Sequence, residues 1–141
     1  MLRPIALFCL LFAVALGCGE DKFGMPNAVS LKGTLTDGGE PLFVEGIENA
    51  TGMIVIEFHP TMEDGKPQPT AATTATVDLD GNFEIPQGIE PGEYTITVRQ
   101  WEPYPQNDLL KGKFRLGKSK IVRTISADTS LDIDISNPTG E

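Results

Sequence analysis

The chain is short of the residues that do chemistry. Its 141 residues include one histidine, His59, and two cysteines, Cys9 and Cys18. A catalytic triad needs a base, an orienter and an activated nucleophile. A lone His59 before Pro60, at the end of an apolar stretch, reads instead as a residue on the rim of a strand. Zinc sites need several Cys or His ligands, so the sequence offers no metal or cofactor set. Two cysteines, one of them inside an N-terminal apolar run, supply no disulfide framework. Basic residues are also scarce. Eleven Lys and Arg face twenty Asp and Glu, for a net charge of −9. That balance disfavours nucleic acid, whose binding relies on neutralising phosphates. Hydrophobic residues make up 40% of the chain, enough for a folded core and against disorder. Beyond Gly19 no stretch carries a helical stripe.

One long apolar run is present. "MLRPIALFCLLFAVALGC" places Arg3 before twelve apolar residues, Ile5 to Leu16, and ends in Gly17-Cys18. This is the layout of an export signal, and it is short for a membrane span. A buried core helix is the alternative. "ALGC" resembles the lipobox of bacterial lipoproteins, with Ala15 where that motif usually has Leu. The resemblance implies cleavage between Gly17 and Cys18 and a lipid on the Cys18 thiol. Residues 1–17 are then a signal-peptide helix. Residues 18–27 form a polar tether, of which Gly19 to Asn27 reaches about 30 Å when extended.

From Ala28 the apolar period is two, the mark of strands. Val29, Leu31, Gly33 and Leu35 alternate with polar neighbours, then "TDGGEPL" turns. Ile54, Ile56 and Phe58 share one face of "MIVIEFHP". "TATVDLDGNFEI" reads as two short strands around a tight turn, with Val77, Leu79, Phe83 and Ile85 facing the core. Tyr94, Ile96 and Val98 form another strand, Ser119 to Ile125 a further one, and Leu131, Ile133 and Ile135 the last. Lys66 to Thr74 has the composition of a loop. Seven such strands predict an all-β, antiparallel Greek-key β-sandwich over residues 28–137, with a tail at 138–141.

The order of these pieces resembles the carboxypeptidase regulatory-like domain, a transthyretin-like sandwich. Gly33, Pro41, Leu42, Asp78, Asp80, Gly81, Phe83, Ile89, Pro91, Gly92 and Tyr94 match that family's pattern. Small lipoproteins with one such domain are familiar in planctomycete-type bacteria. The insertion Phe43 to Gly52 and the segment after Trp101 depart from the pattern. The resemblance implies a fold and little about function. Iron dioxygenases and hydroxyisourate hydrolases built on similar sandwiches need more histidines than this chain has.

Asp78, Asp80 and Asn82 mimic the first half of a calcium loop. Such a loop needs a bidentate Glu at about its twelfth position, and Ile89 stands there. A turn is the better reading, with Gly81 supplying a positive φ. Pro91-Gly92 suits a type II turn. Two surface features remain. Trp101 and Tyr104 sit in "QWEPYPQND", with Trp101 on the Thr95, Thr97 and Arg99 face, away from the core. Six of the eleven basic residues, among them Lys111, Lys113 and Arg115, lie between 111 and 123 with no acid among them. These are candidate contacts for a glycan, an envelope protein or an anionic surface. The alternatives are a capping Trp and an edge kept unpaired by Lys. The sequence therefore predicts a non-catalytic lipoprotein held at a membrane of the cell envelope through Cys18. The alternative function is an envelope binding module acting through Trp101–Arg123.

Overall fold

The computed structural model describes residues 27–127 and 130–140. The signal segment 1–17, the Gly17–Cys18 junction and nearly all of the tether lie outside the described residues.

The alternating pattern becomes eight strands: β1 Val29–Asp37, β2 Glu40–Pro41, β3 Met53–Pro60, β4 Thr73–Thr76, β5 Asn82–Ile89, β6 Gly92–Trp101, β7 Ile121–Ile125 and β8 Ser130–Asp134. The additional strand is β2, two residues that fold back on Thr36 and Asp37. Gly38 (φ 64°) and Gly39 (φ 88°) make that turn. Two successive positive φ angles match the twist of a hairpin and suit glycine. Among the described residues the helical content is one 3-10 turn, Glu45–Ile47.

Two sheets result. In the first, β1 pairs with β5 and β2 along one side and with β8 along the other. In the second the order is β4-β3-β6-β7. The β1–β8 pair is parallel, which corrects the expectation of a wholly antiparallel sandwich. β7 belongs to the other sheet, so the chain changes sheets before β8 and enters alongside β1. A parallel pair needs such a crossover. A second correction concerns the Asp78 region. β4 lies in one sheet and β5 in the other, joined by the single bridge Val77–Phe83. The turn is a corner between sheets, not a hairpin. The strand ends before Leu79, which is 40% exposed and contributes nothing to the core. Thr73 and Thr74, expected in a loop, pair with Phe58 and Glu57 instead.

The inward residues of both sheets form one core. Leu31, Leu35, Phe83, Ile85, Leu131 and Ile133 meet Ile54, Ile56, Phe58, Ile96, Val98 and Ile121. Phe58 sits between Phe83 and Tyr94, with ring centroids 6.2 and 6.4 Å away. Gly33 is required by this packing. A Cβ there would strike the Leu131 carbonyl and the Phe83 ring. The Tyr94 hydroxyl donates to the Glu90 carbonyl at 2.8 Å, tying β6 to the turn before it. Burial, and secondarily the Glu90 charge, raises the Tyr94 pKa above its ordinary value. Gly92 does not take the positive φ expected of a type II turn. Gly88 (φ 87°) does so instead, inside β5 where the strand register shifts.

Candidate functional site

The face of β6 away from the core carries Thr95, Thr97, Arg99 and Trp101, as the alternation predicts, with Thr95 and Thr97 themselves buried. Trp101 pairs with Met53 across the ladder and is half-buried. Its ring meets Tyr104 edge-on, with centroids 6.3 Å apart, and the Arg99 guanidinium lies 5.8 Å from the Trp101 centroid. Tyr104 is 45% exposed. A cation against an indole face gains electrostatic attraction from the ring quadrupole. Arg99 also reaches the Glu57 carboxylate at 3.8 Å, and Thr97 Oγ1 donates to the same oxygen at 2.8 Å. The aromatic pair is thus anchored to the sheet by its neighbours. Arg99 was not singled out from sequence, although its place two residues before Trp101 on a strand puts both on one face.

The segment from Glu102 to Lys120 is an ordered series of turns. Asp108 organises it. One carboxylate oxygen accepts from the Gln100 and Leu110 amides at 3.2 and 3.1 Å, and the other from the Gly112 amide at 2.8 Å. Lys111 (φ 51°) and Gly112 (φ 69°) turn the chain there. A lysine with positive φ is uncommon and carries strain. Phe114 then plunges into the core, and its carbonyl accepts from the Val98 amide at 3.3 Å. Ser119 Oγ closes the segment with a 2.5 Å bond to the Ile96 carbonyl. The insertion Phe43–Gly52 is fastened to this end of the fold as well. Gln100 Nε2 donates to the Phe43 carbonyl at 2.7 Å, and the Gly46 amide donates to Glu102 at 3.1 Å.

The basic residues project from this frame. Lys111, Lys113 and Arg115 are exposed, and the cation beside Trp101 is Arg99 rather than one of these. Lys113 Nζ lies 4.9 Å from the Phe114 ring centroid. With Lys118 and Lys120 it walls a depression of about 300 Å³ floored by Phe114 and Pro138. Lys111 and Arg115 are not part of that wall. Lys118 and Lys120 lay in the basic run but carried no signal that set them apart from Lys111 and Arg115. The chain's return after β8, which brings Pro138 alongside, decides it. Arg123 occupies the edge beside them, donating to the Val122 and Pro138 carbonyls at 2.9 and 3.1 Å. A guanidinium on an edge carbonyl blocks strand addition there.

His59 departs from its expected place on a rim. It is 4% exposed, beneath the loop after β3. Nδ1 lies 2.8 Å from the Gln68 carbonyl and donates to it. Nε2 is buried 3.8 Å from Glu57 Oε2 and makes no hydrogen bond among the described residues. At the corner, Asp78 Oδ1 accepts from the Asp80 and Asn82 amides at 2.9 and 2.8 Å. Gly81 takes φ 80°, and its amide reaches the Asp78 carbonyl at 3.2 Å. The turn expected over this stretch is therefore formed, with Asp78 directed at its own backbone. Glu84 points to Lys32 at 3.2 Å.

No helix among the described residues is long and apolar enough to cross a membrane. No protein-family model, curated protein or solved structure matches the chain.

Proposed function

We propose that the chain is a non-catalytic bacterial lipoprotein that presents one transthyretin-like, Greek-key β-sandwich at the cell envelope. The observation that carries this reading is the apolar run Ile5–Leu16 ending at Gly17-Cys18. Lipid on Cys18 would hold the domain to a membrane, since two or more acyl chains give stable anchoring at about 0.8 kcal/mol per buried CH₂. The non-catalytic part rests on the histidine shortage, and on a His59 that spends one nitrogen on Gln68 and is closed to solvent. The test is metabolic labelling with palmitate followed by membrane fractionation. Wild type should take up label and sediment with membranes, and Cys18→Ala should do neither. A soluble, unlabelled wild type would sink the anchor.

A second reading makes the domain a binding module for a glycan or an envelope protein through Trp101–Arg123. The cluster of Arg99, half-buried Trp101 and exposed Tyr104 favours it. Aromatics beside an arginine are among the side chains that dominate recognition surfaces.

A further inference from the structure

We infer that the depression walled by Lys113, Lys118 and Lys120, over Phe114 and Pro138, binds a phosphate group. Three lysine side chains line one concavity of about 300 Å³, and the Lys113 ammonium lies over the Phe114 ring. Among the described residues none of the three is ion-paired. The lysines and arginines of the described residues that are ion-paired are Lys32, Lys66 and Arg99. On a chain of net charge −9, an unneutralised basic concavity is a local reversal of sign. Such concentration attracts an anion of opposite charge despite the acidic remainder.

The charge of the anion matters. A phosphate monoester carries about −1.5 to −2 at pH 7 against −1 for a carboxylate, so it gains more from several lysines, each a point charge that binds phosphate well. The depression has lysines and no arginine in its wall. Its floor of Phe114 and Pro138 is apolar and suits the carbon body that bears the phosphate. A volume near 300 Å³ lies at the small end of ligand sites, which fits a phosphate monoester on one sugar or a single lipid head group. The backbone beneath is held in place. Phe114 is buried, the Lys113 amide donates to the Leu110 carbonyl at 3.0 Å, and the Lys118 amide donates to Arg115 at 2.9 Å. The site requires only this local frame, so it stands or falls independently of the lipid on Cys18.

Amide NMR of the full chain in a nonionic detergent tests it. Glucose 6-phosphate and dihexanoyl phosphatidylglycerol below its micelle concentration are added separately. Saturable shifts are expected at Lys113, Phe114, Lys118 and Lys120 with at least one of them. Response to the sugar phosphate assigns a soluble source, and response to the lipid alone assigns a head group. Changing Lys113, Lys118 and Lys120 to Gln together should weaken binding by roughly tenfold or more. Changing Lys22, Lys32 and Lys66 to Gln removes the same charge from other parts of the sequence and should leave binding within about twofold. Should the first triple disturb the fold, the single Lys→Gln variants carry the test, each expected to weaken binding. No shift with either compound overturns the site. Equal weakening by both triple variants overturns it too, since that is diffuse charge attraction.

Discussion

Asp134 ties together the end of β8 and the tip of the first hairpin. Its Oδ1 accepts from the Gly38 amide, the Ser136 amide and Ser136 Oγ at 2.9, 2.9 and 2.6 Å, and its Oδ2 from the Gly39 amide at 3.1 Å. The Ser136 hydroxyl and the Gly38 and Ser136 amides, in that order, hold its pKa below the ordinary carboxylate value. A lowered folded pKa gives stability that is present above the unfolded value, near pH 3.9, and lost as pH falls through the folded one. Asn at this position cannot carry the charge. We therefore expect Asp134→Asn to melt below wild type at about pH 7, and the two melting curves to converge as pH falls well below about 4. Thermal melts of both proteins across that range decide it, and a constant gap would mean that the charge contributes nothing. In sequence Asp134 alternates with Ile133 and Ile135 and reads only as a solvated outer-face residue. Ser136 is a local partner two residues on, but Gly38 and Gly39 lie almost a whole domain away in the chain, so no local pattern could expose them. His59 shows the same limit, since its burial depends on a loop that folds back over β3.

The elements show the opposite. Period-two alternation located β1, β3, β6 and β8, because one face of each is apolar and packs on the core, even in β6, whose polar Thr95 and Thr97 are buried as well. What stayed hidden was the partner of each strand. The Val77–Phe83 corner carries the same turn residues as a hairpin, and only the sheet memberships of β4 and β5 separate the two. The same holds for residues 102–120, where periodicity is absent and side chains hold the backbone in place. Asp108 followed two residues on by Leu110 and four on by Gly112 was a legible turn signal. The buried anchor, Phe114, was not, because the surrounding lysines and glycines mask it. Its weight can be measured. Phe114→Ala should cost about 3–5 kcal/mol in urea unfolding, the range for truncating a core aromatic. Amide exchange at Val98, which donates to the Phe114 carbonyl, should accelerate with it. A cost near zero would mean that the segment folds without this anchor and that the lysine wall above it is not fixed.

On the scale of the whole molecule, β1 is an interior strand only because β8 arrives from the far end of the domain. The ladder runs from Lys32–Ser130 to Thr36–Asp134, and the segment delivers Leu131, Ile133 and Ile135 to the core, each at most 5% exposed. Burying an aliphatic side chain of this size is worth about 1.5–3 kcal/mol. Three of them supply roughly 5–9 kcal/mol, against a total stability of about 5–15 kcal/mol for a typical domain. Removing them therefore consumes most or all of the margin. It also strips one side of β1, leaving unpaired amides and carbonyls that template aggregation. A chain ending after Ser126 should lose its cooperative melting transition and be digested rapidly by protease, while one ending after Asn137 keeps β8 and should melt within a few degrees of the full chain. Cooperative melting of the shorter chain would show that the second sheet and the β1–β5 pair suffice, and that β8 is an addition to a fold already complete.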